Sequence, residues 1–291
     1  MQPEVLLQYI NAQHQTTFTL LERCLGGEQG AFLVTAGQEG RFVLKWSEGL
    51  HQVEVVNHIA EMMANLRANN YPAPLYLYNG VFQDGCYSIQ ERLPGTPMQP
   101  QSLTRLLVQQ VCALNRKQRN AANERGDWPQ RIVETVLHGG DGYCLLAPLR
   151  DYSSETANML SDLQTYVRMY APMCRHTMDI VHYDFNPANI LMTGGQISGV
   201  IDWDGTCVGD AGFDLATMLF YQYKLGDMLP EKAIDDLMSE ACAYSGVEMV
   251  HVYLAHMVVR QLDWSIRHHA QSVIDHYLDI SREICSSICR K

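Results

Sequence analysis

Ile180-Val181-His182-Tyr183-Asp184-Phe185-Asn186-Pro187-Ala188-Asn189-Ile190-Leu191, followed by Val200-Ile201-Asp202-Trp203-Asp204, is the stretch whose reading decides the fold. It consists of short apolar segments with polar residues at their ends, separated by a Gly194-Gly195 turn. Asp184 stands five residues before Asn189, and Asp202 follows beyond the turn. An Asp and an Asn in a polar turn often do no more than cap backbone groups. Two carboxylates and an amide in this order have a second use. One carboxylate accepts the proton of an attacking hydroxyl, while the amide oxygen and the other carboxylate hold Mg²⁺ against nucleotide phosphates.

The spacing His182-x-Asp184-x-x-x-x-Asn189 resembles the catalytic-loop signature of protein kinases and their small-molecule relatives, and Asp202 falls where the kinase Asp-Phe-Gly aspartate stands. From about Leu21 to Leu219 the chain resembles the aminoglycoside phosphotransferase (APH) and choline kinase-like family. The acid directly after the aromatic in Asp202-Trp203-Asp204 is closer to the small-molecule members than to the protein kinases. The resemblance implies an α+β, protein kinase-like two-lobed fold. An antiparallel β-sheet small lobe is expected over 1–93, and a mostly helical large lobe with catalytic loop and acceptor site over 94–291. It makes Asp184 the base, Asn189 and Asp202 the Mg²⁺ ligands, and His182 a structural support for the loop. Asp204 is read either as a metal or substrate contact or as an ordinary turn carboxylate. Tyr183 and Ala188 occupy positions where the family often has glycine. Gly209 to Ala216 resembles the family's Gly-x-x-x-x-Asp-Leu-Ala, and Asp214, at a helix start, is read as a structural brace receiving backbone N–H groups.

Working back toward the N-terminus, residues 3–14 read as a short amphipathic helix with Pro3 at its start. Alternating and β-branched runs follow at Thr17–Leu25, Ala31–Ala36 and Arg41–Trp46, the last two joined by a Gly37-Gln38-Glu39-Gly40 hairpin signal. The glycines between the first two runs, with Gly27 and Gly30 as the candidates, stand where a kinase-type loop covers the phosphates with backbone N–H groups. Lys45 ends the third run and is the candidate grip on the α- and β-phosphates. A helix over 51–68 follows, and on it Glu61 is the chosen partner of Lys45, with Glu54 the alternative. Strands at 75–79 and 86–90 complete a five-stranded sheet. Leu93-Pro94-Gly95-Thr96-Pro97 resembles the family's hinge. Carried over by position, Gln90 is the gatekeeper, Glu91 offers its C=O to the adenine edge and Leu93 its N–H. A polar gatekeeper leaves ATP and GTP both open.

Toward the C-terminus, helices are expected at about 101–118, 155–171, 211–223, 230–244, 248–269 and 271–287, with broken pieces over 120–152. In the family the last helices wall the acceptor site, which makes Asp263 and Trp264 candidate substrate contacts.

Bulk properties narrow the function classes. The 291 residues carry a net charge of −11, a poor match to nucleic acid. Residues 201–240 hold nine acids against two lysines, read either as a solvated face or as a wall that attracts a cation. No apolar run suits a membrane span. The cysteines, scattered and odd in number, and an N-terminus without a basic-then-apolar leader point to a reduced, cytoplasmic protein. The expected activity is Mg²⁺-dependent transfer of a nucleotide γ-phosphoryl, from ATP or GTP, to a hydroxyl of a small molecule. A cationic antibiotic of the aminoglycoside type leads, with antibiotic resistance as the outcome. A macrolide, a cyclic peptide antibiotic, choline or homoserine stay open as acceptors. A silent pseudokinase scaffold is the rival class, opposed by the presence of Lys45, Asp184, Asn189 and Asp202 together. A protein kinase is opposed by the lack of Ala-Pro-Glu after Asp202.

Overall fold

The computed structural model describes residues 1–24, 30–37, 40–99, 104–140, 144–223 and 231–288. Gly27, the Gln38-Glu39 centre of the hairpin turn and the first residue of the 230–244 helix lie outside the described residues. The chain forms two compact units. One comprises Met1–Thr96 and Leu191–Asp204, the other Pro97–Ile190 and Gly205–Lys291.

The first unit is built on a five-stranded antiparallel sheet. Its strands β1 (Thr19–Arg23), β2 (Ala31–Thr35), β3 (Arg41–Glu48), β4 (Tyr76–Phe82) and β5 (Gly85–Glu91) lie in the order β1-β2-β3-β5-β4. Two helices accompany it, α1 (Pro3–His14) and α2 (Gln52–Ala68). Pro3 suits the first turn of α1, where its missing N–H has no intrahelical partner to lose. Leu6, Leu7 and Ile10 then bury one side of α1 in a core with Phe18, Val34, Leu44, Tyr87 and Ile89. On α2 the buried side is Ile59, Met62, Met63 and Leu66. After the two-residue strand β6 (Thr96–Pro97) the chain leaves this unit and returns at Leu191. The returning segment carries most of β8 (Ile190–Thr193) and all of β9 (Gln196–Val200). It is tied to the residues before β6: Ser198 Oγ donates to Pro94 O at 2.7 Å and Val200 N to Pro72 O at 2.9 Å. The register of β3 against β5 sets Lys45 opposite Ser88, with Val43 opposite Gln90.

The second unit is mostly helical: α3 (Arg105–Gln118), α4 (Thr135–His138), α5 (Leu146–Tyr152), α6 (Ser154–Tyr170), α7 (Gly212–Tyr223), α8 (Glu231–Ser245), α9 (Val247–His268) and α10 (Gln271–Ile288). A five-residue π-helical segment, Gln130–Glu134, runs into α4. Two short strands, β7 (Asp179–Val181) and β10 (Cys207–Gly209), pair antiparallel. Residues Met249–Val259 of α9 are all buried, as expected of a helix packed on several sides. α6 starts at a capping box in which the Ser153 hydroxyl accepts from Thr156 N and Thr156 Oγ1 accepts from Ser153 N. The helices expected from sequence coincide with these elements to within a few residues at each end. The described cysteines are free thiols. No described helix is long and apolar enough to cross a membrane.

Gly209 ends β10 against the buried indole of Trp128, which is held edge-on by Phe213 and Tyr253. A Cβ at Gly209 would overlap the Cε3 and Cδ2 atoms of that ring. Gly209→Ala is therefore expected to destabilise the protein by about 1–3 kcal/mol, the usual cost of overpacking a fixed core. Urea denaturation measures this, and an unchanged midpoint would contradict the packing.

Candidate active site

In the first unit the candidate residues gather around the ammonium of Lys45. β3 and β5 turn Lys45, Ser88 and Gln90 toward one small cavity of about 20 Å³, which Tyr76 and Asp204 also line. That volume suits about one water. Lys45 Nζ donates to Asp202 Oδ1 at 2.7 Å and to Asp204 Oδ2 at 2.8 Å. Burial pulls this ammonium toward neutrality, but Asp204 and Asp202 more than offset it, and its pKa stands above the ordinary lysine value. Burial first, and then the same two carboxylates, push the Tyr76 phenol well above its usual range. Asp202 adopts φ 67°, in the left-handed region that Asp tolerates better than most residues. Asp204 lies in the 3₁₀ turn Trp203–Gly205, and the Trp203 indole fixes that turn by donating Nε1–H to Val200 O at 2.9 Å.

Glu61, the expected partner of Lys45, is exposed, and so is Glu54. The side of α2 that lines the cavity presents Val56 and Ile59, and Glu61 projects from the opposite side of that helix. The carboxylates on Lys45 come instead from the turn after β9. Gln90 is buried and donates Nε2–H to Ser88 Oγ at 3.0 Å. Glu91 receives Arg67 Nη1 at 2.7 Å, and its backbone N–H is already given to Leu75 O at 2.8 Å. Leu93 is buried, and Gly199 leaves room for its side chain. Gly30 has φ 71°, which favours glycine.

In the second unit the candidate residues sit in the loop after β7, and a buried carboxylate shapes that loop. Asp214, in the first turn of α7, accepts from His182 N at 2.8 Å, Tyr183 N at 2.9 Å and Gln118 Nε2 at 2.6 Å. Burial raises its pKa, while His182 and these donors act in the opposite direction. His182 is fully buried, and its Nδ1 accepts from Asp184 N at 3.3 Å. Asp184 projects from the loop with its side chain 36% exposed. Asn189 Nδ2 donates to Asp184 O at 2.9 Å and to Asp184 Oδ2 at 3.3 Å. Arg260 Nη2 of α9 stands 3.6 Å from Asp184 Oδ1, and its Nη1 donates to Tyr183 O at 3.0 Å.

Tyr183 has φ 73°, unusual for a bulky residue. Its socket holds it there. The ring stacks on Phe213 at 5.1 Å and carries the Arg131 guanidinium over its face at 4.1 Å. Its hydroxyl donates to His256 Nε2 at 2.9 Å, and His256 Nδ1–H points to Ile132 O at 3.3 Å. The π-helical segment thus supplies both Arg131 and the Ile132 carbonyl, in keeping with the frequent use of such segments at functional sites. Arg131, His256 and Arg260 were not found from sequence as parts of the site. The signal for them was the tyrosine itself, since a large side chain at a position that often holds glycine needs a built pocket.

Asp263 is fully buried, its carboxylate bound by Arg267 Nη2 at 2.6 Å and Nε at 3.0 Å. Trp264 stacks on His268 at 3.9 Å. No group of three or more His, Cys, Asp and Glu side chains is assembled as a metal site among the described residues. The donor chemistry nevertheless suits Mg²⁺, which is held by few protein oxygens plus phosphate and water. In the second unit the Asn189 amide nitrogen is committed to Asp184, which leaves the amide oxygen as its donor atom toward a cation, and in the first unit Asp202 carries a carboxylate.

The model of the phosphotransferase enzyme family, APH, matches residues 21–240. A 70-residue segment is 31% identical to hygromycin-B 4-O-kinase of Escherichia coli, covering 24% of this chain and only 19% of that relative's length. The crystal structure of aminoglycoside phosphotransferase APH(4)-Ia is similar over 99% of both chains, with TM-score 0.72 and 17% identity. Amicoumacin kinase hAmiN, in complex with AMP-PNP, Ca²⁺ and Ami, gives TM-score 0.68 at 11% identity, over 99% of this chain and 96% of that one. The GDP complex of aminoglycoside 2'-phosphotransferase-IIIa gives 0.61 at 16% identity, over 97% and 98%. These likenesses establish a protein kinase-like fold.

The buried imidazole of His256 gives a pH signature. Burial first, then Arg260 and Arg131, pull its pKa down to about 3. An unfolded histidine titrates near 6.5. Below about pH 6.5 the unfolded chain takes a proton that the folded protein refuses, so stability falls with pH until about pH 3. At about 1.4 kcal/mol per pH unit, about 2 kcal/mol is expected to be lost between pH 6.5 and 5. Urea unfolding should show that loss in the wild type and a flatter profile in His256→Gln. Equal slopes in the two proteins would contradict a buried neutral histidine.

Proposed function

The chain belongs to the APH phosphotransferase enzyme family, and from that membership we propose that it is a small-molecule kinase, transferring the γ-phosphoryl of ATP or GTP to a hydroxyl. The observation that carries this reading is the presentation of Asp184. Its carboxylate reaches solvent from a loop whose backbone is held by buried Asp214, and Asn189 and Arg260 fix its orientation. Such a carboxylate orients the acceptor hydroxyl and receives its proton as the phosphoryl group departs along a loose, largely dissociative path. Lys45 supplies the charge that grips the nucleotide phosphates, and its raised pKa keeps it an ammonium. Asn189 and Asp202 are the residues that would hold Mg²⁺, which neutralises phosphate charge when bound. Buried Gln90 is the polar group offered to the base.

The acceptor proposed is a cationic antibiotic of the aminoglycoside type, inactivated by the added negative charge. The net charge of −11 and the segment similar to hygromycin-B 4-O-kinase support it. Expressing the chain in a susceptible bacterium should raise the concentration of hygromycin B or a related aminoglycoside needed to stop growth. Protection confined to macrolides, cyclic peptides or amicoumacin would move the acceptor to those classes. Protection from none, with no ATP consumed in the purified reaction, would sink the antibiotic reading.

Asp184→Asn should lower turnover by about 10²–10⁴-fold, the usual worth of a positioned base, with nucleotide affinity retained. Wild-type turnover in steady-state assays would remove the base assignment. Asp202→Ala is expected to abolish the Mg²⁺ dependence of AMP-PNP affinity measured by calorimetry, and its persistence would contradict the metal role.

A further inference from the structure

A strand lysine that grips phosphates needs a carboxylate to hold it extended, because four rotatable bonds otherwise let the amine wander into solvent. In this chain the helix packed beside the lysine offers none. Val56 and Ile59 face the cavity from α2, while Glu54 and Glu61 are exposed. Two carboxylates nonetheless reach Lys45 Nζ, from Asp202 at 2.7 Å and Asp204 at 2.8 Å. They cannot serve equally in the working enzyme. Asp202 is the residue proposed to hold Mg²⁺, and an oxygen shared with a divalent cation is a poorer partner for an ammonium. Asp204 carries no such demand. Its place is also fixed, since the turn that bears it is pinned by the Trp203 indole, itself 1% exposed and packed edge-on against Tyr71 at 5.6 Å.

We infer that Asp204 is the positioning residue of Lys45, taking the part that the sequence pattern assigned to a glutamate on α2. Asp204 acts through the lysine and not on the phosphoryl group. With Asp202 engaged by Mg²⁺, Asp204 would be the carboxylate left to hold the ammonium in the cavity. The consequence is a division of labour within three residues: Asp202 for the metal, Trp203 for the turn and Asp204 for the lysine. This assignment rests on the phosphotransferase reading.

A double-mutant cycle on nucleotide affinity tests it, using AMP-PNP with saturating Mg²⁺ and isothermal calorimetry. Asp204→Asn is isosteric at a side chain that is 42% exposed, and thermal unfolding confirms that each variant is folded. Asp204→Asn should weaken AMP-PNP by about five- to tenfold, and Lys45→Met by at least as much. The double variant should be within about twofold of Lys45→Met alone, because residues that act as a unit are not additive. The Mg²⁺ concentration giving half-maximal AMP-PNP binding should not move in Asp204→Asn. Fully additive losses would overturn the assignment. So would a raised Mg²⁺ requirement, which would make Asp204 a metal ligand, or a loss found at Glu61→Gln in place of Asp204→Asn. A wild-type protein that binds no AMP-PNP at all would overturn the phosphotransferase reading, and the Asp204 assignment with it.

Discussion

The carboxylate of Asp214 sets the geometry of the catalytic loop. It is wholly buried, and burial alone would make an ionised acid expensive. Its cost is offset by donors that the loop itself must supply, the N–H groups of His182 and Tyr183, with Gln118 completing the shell. Once two successive amides are turned toward one carboxylate, the backbone cannot continue as the strand β7. It swings through positive φ at Tyr183 and delivers Asp184 to the surface. Strain of that kind costs on the order of 1–3 kcal/mol and survives only where the surroundings over-determine it. The Tyr183 socket of Phe213, Arg131 and His256 supplies that constraint, and Arg260 joins the tyrosine carbonyl to the neighbouring Asp184 carboxylate.

A second constraint operates in the other unit. Lys45 is half-buried, and burial opposes the charge that its proposed role on phosphate requires. The acids that keep it protonated come from the turn after β9, a hundred and more residues along the chain, and that turn is made rigid by an indole bonded to its own strand end. Asp202 shares with Tyr183 the property of standing at positive φ. Tyr183 adjoins the proposed base and Asp202 is the proposed metal ligand, a placement common for backbone held in sparsely populated conformations.

Much of this was legible in the sequence, for physical reasons. The strand and helix periods follow from burial on one side, and the helices and five-stranded sheet read from them match the structure closely. The groups of the 180–204 stretch are near one another in the chain, so their order is visible without tertiary knowledge. What lay hidden depends on packing. A seven-residue separation told that Glu54 and Glu61 share a side of α2, but not which side meets Lys45. Val56 and Ile59 take that side, and they line the cavity beside Lys45, Ser88 and Gln90. Arg131, His256 and Arg260 converge on Tyr183 from the π-helical segment and from α9, and no local pattern marks such a convergence. Asp263 was read as a substrate contact from its helix, whereas its carboxylate is buried against Arg267.

In the proposed reaction buried Asp214 aims the base, because it holds the loop amides that present Asp184. Replacing it by its amide, Asp214→Asn, turns one acceptor oxygen into a donor and breaks the two-amide grip with no change of size. The measurement is turnover set beside AMP-PNP affinity in the folded variant, with the acceptor identified by growth protection. The account predicts turnover reduced by about a hundredfold or more, as expected for a misplaced reacting group, while AMP-PNP binds as it does to the wild type. Undiminished turnover in a folded Asp214→Asn protein would contradict it.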